Sequence, residues 1–160
     1  PGAGALAIDP ELTNIARARA QDMASKNYLA HAAPNGDTSA SLLRAADDKF
    51  QGLLGENLAA EHYVPQTGVD PNAFAQRFVE TWLASKPHKD NLAFPGSDRT
   101  GVGAAVNGDT VYVAELFASS LGIRQTGDNS ITPLEHPQDA KASAPEQPPL
   151  RLRGAVGAGR

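Results

Sequence analysis

The chain has 160 residues, 41% hydrophobic and 20% charged, the balance of one globular domain with a single buried core. A net charge of −4 without any long basic run excludes a surface that tracks phosphates, so nucleic acid is not an expected partner. No stretch approaches the roughly 20 apolar residues that span a bilayer, which excludes an integral membrane protein, and the absence of cysteine removes disulfides, thiolate metal sites and cysteine nucleophiles together.

The chain opens at "PGAGALAIDP" without an initiator methionine, which predicts that an N-terminal segment has been removed. A first helix is predicted over residues 9–27. Asp9 suits the N-cap, Pro10 the first helical position, and Glu11 complements the helix dipole. Leu12, Ile15, Ala16, Ala20 and Met23 make a 3.6-residue stripe that only Arg19 interrupts. A shorter helix is predicted over roughly 39–48, after the turn "PNGDTS". The segment "GLLGENLAA" is a candidate strand that its pattern alone does not place.

The third helix repeats the Asp-Pro start at Asp70 and Pro71 and sets Phe74, Phe78, Val79 and Trp82 on one face. It is expected to end near Ser85, because Pro87 biases Lys86 away from helical angles. The period then changes to two: "TGVGAAVNGDTVYVAELFA" reads as two strands around Asn107-Gly108-Asp109, a hairpin signal. Helices first and a hairpin late predict an α+β fold, with helices packed on antiparallel strands.

All nine aromatic residues lie between Tyr28 and Phe117, and the 38 residues from Ile123 onward hold 5 of the 12 prolines. A segment of that composition buries too little apolar area to offset its ordering entropy. Residues 1–121 are therefore expected to form the domain and 122–160 a Pro/Ala-rich tail or linker.

Four polar residues in apolar surroundings are candidates for chemistry. His31 follows the first helix, Glu56 lies between Leu54 and Leu58, and His88 follows Pro87. Glu115 shares strand parity with Val111, Val113 and Phe117, and so is expected to point where they point. Three also have an ordinary explanation: His31 as a helix-end histidine bonded to carbonyls, Glu56 as a capping glutamate with Asn57 in the adjacent turn, Glu115 as an edge-strand glutamate facing water. Nucleophile elbows, H-E-x-x-H zinc motifs and phosphate loops are absent, and His62 and His136 read as surface residues.

The order of segments is more specific than any one of them. A capped helix ends in "YLAH" and leads to "PNG". Then follow "GENLA", "FVETWLASKPHKDNL", "GVGAAV" and "VYVAELFA". Over about residues 6–118 this resembles the CAP superfamily (cysteine-rich secretory proteins, antigen 5 and plant pathogenesis-related proteins) in its short bacterial form. The resemblance implies an α-β-α sandwich with a small antiparallel sheet between helical layers, in a protein that is secreted or periplasmic. It also implies a cleft with two histidines and nearby acids, able in several members to hold a divalent metal, often zinc. Carried over, the metal-binding histidines are His31 and His88, and the motif glutamate is Glu56. Eukaryotic members carry a second glutamate three residues after the helix tryptophan; here that position is Ser85. Asn57, Ser85, Asn91 and Glu115 are the expected supporting residues, Glu115 as a candidate carboxylate from the sheet side.

Two functions follow from the resemblance. One is a secreted binding module whose cleft takes a small ligand, a lipid or an extracellular protein. The other is a metal-dependent hydrolase that uses metal-bound water with Glu56 as general base.

Overall fold

The computed structural model describes residues 4–120, 123–125, 131–133, 150–152 and 156–157. The boundary expected at residue 121, His136 and most of the Pro/Ala-rich segment lie outside them. Helix α1 (Pro10–Lys26) starts where Asp9 accepts from the Leu12 N–H at 2.9 Å and ends where Asn27 turns left-handed at φ 53°. Its apolar stripe is buried as the sequence patterned it, and so is Arg19. Helix α2 (Ser39–Ala46) opens with a capping box between Thr38 and Ser41.

Helix α3 (Pro71–Leu83) uses Asp70 as its N-cap and buries Phe74, Phe78 and Trp82. Val79, expected on the same face, is 43% exposed, because it sits about 100° further round the helix than Phe78. Helix α3 ends near Ser85 as expected, but Pro87 does not keep Lys86 from helical angles. After α3 stops, a second short helix, α4 (Lys86–Leu92), takes Pro87 into its first turn, where a missing N–H leaves no helical bond unmade. His88 therefore sits inside a helix, not in a loop beyond one.

"GLLGENLAA" is a full strand. The strands β1 (Ala7–Ile8), β2 (Gly52–His62), β3 (Arg99–Asn107) and β4 (Thr110–Ser120) run in the order β1-β3-β4-β2. The three long strands are antiparallel, and β1 joins β3 in parallel, so the sheet is mixed where an antiparallel one was expected. The predicted hairpin joins β3 to β4, with Gly108 at φ 60° in its turn. Short strands β5 (Ile123–Gln125) and β6 (Ile131–Pro133) pair with each other. Strands β7 (Leu150–Leu152) and β8 (Val156–Gly157) pair in parallel with β2, Leu152 opposite Glu56.

Alternation along the strands builds two cores. Leu54, Leu58 and Leu116 pack against Leu12, Met23 and Leu43 of α1 and α2. Ala59, Val111 and Val113 point the other way, onto Phe74, Phe78 and Trp82 of α3. The result is an α-β-α sandwich. The glycines of "GVGAAV" have a steric reason: a Cβ on Gly101 would lie 2.3 Å from Thr13 N, and one on Gly103 2.2 Å from Arg17 N. Only glycine lets the α1 backbone rest on β3.

Candidate functional site

Strand β2 places Glu56 and Asn57 on opposite faces of the sheet, and each organises its own side. Glu56 is fully buried, so its carboxylate needs partners to offset lost hydration. It has three. His31 Nδ1 lies 2.6 Å from Oε1, the Ser39 hydroxyl donates to Oε2, and Arg19 Nε is 3.9 Å from Oε2.

Arg19, 1% exposed, does more than balance that charge. One terminal nitrogen donates to the Ala30 carbonyl at 2.7 Å and to the His31 carbonyl at 3.0 Å; the other donates to the Tyr28 oxygen at 3.0 Å. The guanidinium thereby clamps the segment that presents His31. Tyr28 passes the chain on by donating to Asp22; hydrogen bonds from Lys26 and then Tyr28 hold that carboxyl below its usual range. His31 thus bonds a buried carboxylate and not the backbone carbonyls of an ordinary helix end. With Nδ1–H donated to Glu56, the neutral tautomer of the ring carries its lone pair on Nε2. That atom is buried and has no hydrogen-bond partner among the described residues.

On the other face Asn57 donates to the His88 carbonyl at 3.2 Å. Asn91 donates to Asn57 Oδ1 at 2.9 Å and to the Glu56 carbonyl at 3.2 Å. These bonds fasten α4 to β2. The His88 ring is buried, with Nδ1 2.9 Å from Ser85 Oγ. Ser85 is the N-cap of α4 yet makes no capping bond with its side chain; its hydroxyl holds the ring instead.

Glu115 stands opposite Asn57 on one side and Val102 on the other, so it shares their face and not that of Glu56 and His31. It lies in an apolar groove beside Phe74, Phe78 and Trp82, as strand parity predicted. Burial pushes its carboxyl up to about 7, against a smaller opposing effect from the Thr100 hydroxyl. The folded state holds a proton that the unfolded chain loses near the ordinary value of 4.5, so stability falls as pH rises from there through about 7. Urea unfolding of Glu115→Gln beside the wild type should show the variant gaining on it across that window, by roughly 3 kcal/mol above pH 7. A constant difference between the two would mean the carboxyl is solvated.

The structure thus joins His31 to Glu56, His88 to Ser85, and Asn57 to Asn91, and gives Glu115 a separate groove. Sequence reasoning missed Arg19 and Ser39. Arg19 carried a usable signal, a charge at a core position of a well-capped helix; Ser39, a small residue opening a helix, carried none.

The model of the cysteine-rich secretory protein family, CAP, matches residues 2–119. The chain belongs to the CAP family. This CAP domain is 29% identical over 103 residues to the uncharacterized protein YkwD of Bacillus subtilis (strain 168), an alignment spanning 64% of the chain but only 36% of YkwD. An extracellular protein containing an SCP domain from Bacillus anthracis str. Ames is 29% identical, with a TM-score of 0.55 over 74% of this chain and 35% of that one. An outer surface protein from Borrelia burgdorferi shares the fold at 24% identity, with a TM-score of 0.60 over 74% and 80% of the two chains. The chain therefore spans about a third of the length of the two Bacillus relatives.

Proposed function

We propose that this CAP domain is a secreted binding module whose recognition centre is His31, oriented by Glu56, and that it takes a divalent cation, zinc, for which His88 is the second imidazole once its ring leaves Ser85 and reaches past β2 from the other face of the sheet. The observation that carries the proposal is His31 Nε2, buried and unpartnered among the described residues while Nδ1 is fixed on a carboxylate. A carboxylate behind the ring is the arrangement that fixes the tautomer and raises the basicity of a metal-binding histidine. Among the described residues no group of three or more His, Asp or Glu side chains is placed to hold a metal. Two imidazoles would leave positions open for an external ligand. Zinc bound there would supply a Lewis acid for an oxygen or nitrogen of that ligand.

The state of Glu56 favours binding over hydrolysis. A general base must reach the water it deprotonates, whereas Glu56 is 0% exposed with both oxygens already engaged. Its geometry suits positioning. Secretion is supported by the extracellular Bacillus anthracis relative, and no described helix is long and apolar enough to cross a membrane. The partner is a small ligand, a lipid or an extracellular protein that presents a donor atom to the metal.

Thermal unfolding during a zinc titration tests this. Zinc should stabilise the wild type by RT ln(1 + [L]/Kd), about 2.7 kcal/mol at a hundredfold excess over Kd. His31→Ala and His88→Ala should each abolish the shift, and Glu56→Gln should weaken zinc about 10–100-fold. A zinc response that survives His31→Ala would contradict the proposal.

A further inference from the structure

We propose that the groove between α3 and the outer face of β3 and β4 is a second ligand site, for a small apolar molecule bearing a protonated amine. It is independent of the His31 centre, which lies on the opposite face of the sheet.

Helix α3 covers Val111 and Val113 but does not extend across β3. Val102 and Val106 are left 47% and 51% exposed, and Val79 faces them at 43%. Between these walls runs a groove of about 400 Å³, within the roughly 300–1,000 Å³ of small-molecule sites. Among the described residues, Glu115 is the single titratable group that lines it, and no basic side chain does. The groups beside Glu115 are the neutral Asn57 and Val102 across the strands and the Thr100 hydroxyl.

Charge complementarity selects the ligand. A carboxylate held in apolar walls is poorly hydrated and gains most from a cation brought to it with its own apolar body. A fatty acid would place a second negative charge beside the first. A plain alcohol or hydrocarbon would fill the walls and leave the carboxylate unpaired. The upward displacement of the Glu115 carboxyl agrees with there being no cation beside it among the described residues.

Isothermal titration with dodecylammonium, dodecanoate and dodecanol, each below its aggregation limit, tests the proposal on the full chain. At about pH 8 the amine should bind at least about tenfold more tightly than either other probe. That advantage should shrink at about pH 5, where Glu115 is neutral, and should vanish in Glu115→Gln. Val102→Lys should weaken all three probes, and His31→Ala none. Equal affinities for the three probes, amine binding that survives Glu115→Gln, or no binding by any probe would overturn it. So would a dimer in sedimentation that Val102→Lys dissociates, because the groove would then be a contact between copies of the chain.

Discussion

Replacing Arg19 with methionine is expected to lower the unfolding free energy by about 3–5 kcal/mol, a loss out of proportion to one side chain in a 160-residue protein. The hydrocarbon part of the substitution is nearly volume-conserving, so the cost comes from the groups left behind. Glu56 would lose its guanidinium neighbour in a site with no exposure, and the Ala30 and His31 carbonyls would lose their donor. Urea midpoints measure this. A double-mutant cycle with Glu56→Gln identifies the mechanism: once the carboxylate is neutral, Arg19→Met should cost clearly less, a coupling of about 0.5–3 kcal/mol. Strict additivity would mean that Arg19 serves only the loop carbonyls and not Glu56.

A comparable loss, about 3–5 kcal/mol, is expected for Trp82→Ala, for a different reason. Trp82 is 3% exposed, stacks on Phe78 at 6.3 Å between ring centroids, and donates its indole N–H to the Leu58 carbonyl at 3.2 Å. Removing the ring opens a cavity under α3 and takes the indole hydrogen bond from that carbonyl. Trp82→Phe should recover much of the packing but not the hydrogen bond. Trp82 also contributes to the wall of the Glu115 groove. A variant with wild-type stability and impaired ligand binding would recast Trp82 as a ligand contact and not a core anchor.

The fold was legible where local chemistry was strong. Two Asp-Pro starts, at Asp9 and Asp70, located α1 and α3, and Asn107-Gly108-Asp109 located the hairpin. Strand β2 was obscure because it is buried on both faces around Glu56 and Asn57, so the period-two alternation that marks a half-exposed strand is missing. Helix α4 was hidden because a proline that stops one helix can equally start the next, and only the packing of Asn91 and His88 against β2 decides between them.

The candidate site was legible in its titratable members and not in their partners. His31 and Glu56 stood out as polar residues in apolar runs. Arg19 read as a flaw in a stripe, since the carboxylate that makes its burial tolerable, Glu56, belongs to a strand far along the chain. The loop that Arg19 clamps, at Ala30 and His31, is likewise beyond the end of its own helix. Glu115 was correctly assigned to the side of its apolar neighbours. That same parity separates it from Glu56, because directly paired residues share a face and Glu56 pairs with Leu116.

The most direct measurement is long-range ¹H–¹⁵N NMR of the His31 imidazole as zinc is added. In the metal-free protein the bond to Glu56 should hold a proton on Nδ1, so that the neutral ring is the Nδ1–H tautomer with its lone pair on Nε2. Zinc should then shift the Nε2 resonance in step with binding and leave Nδ1 protonated. An Nε2–H tautomer in the free protein, or a His31 ring that does not respond to zinc, would contradict the assignment of His31 as the centre of the site.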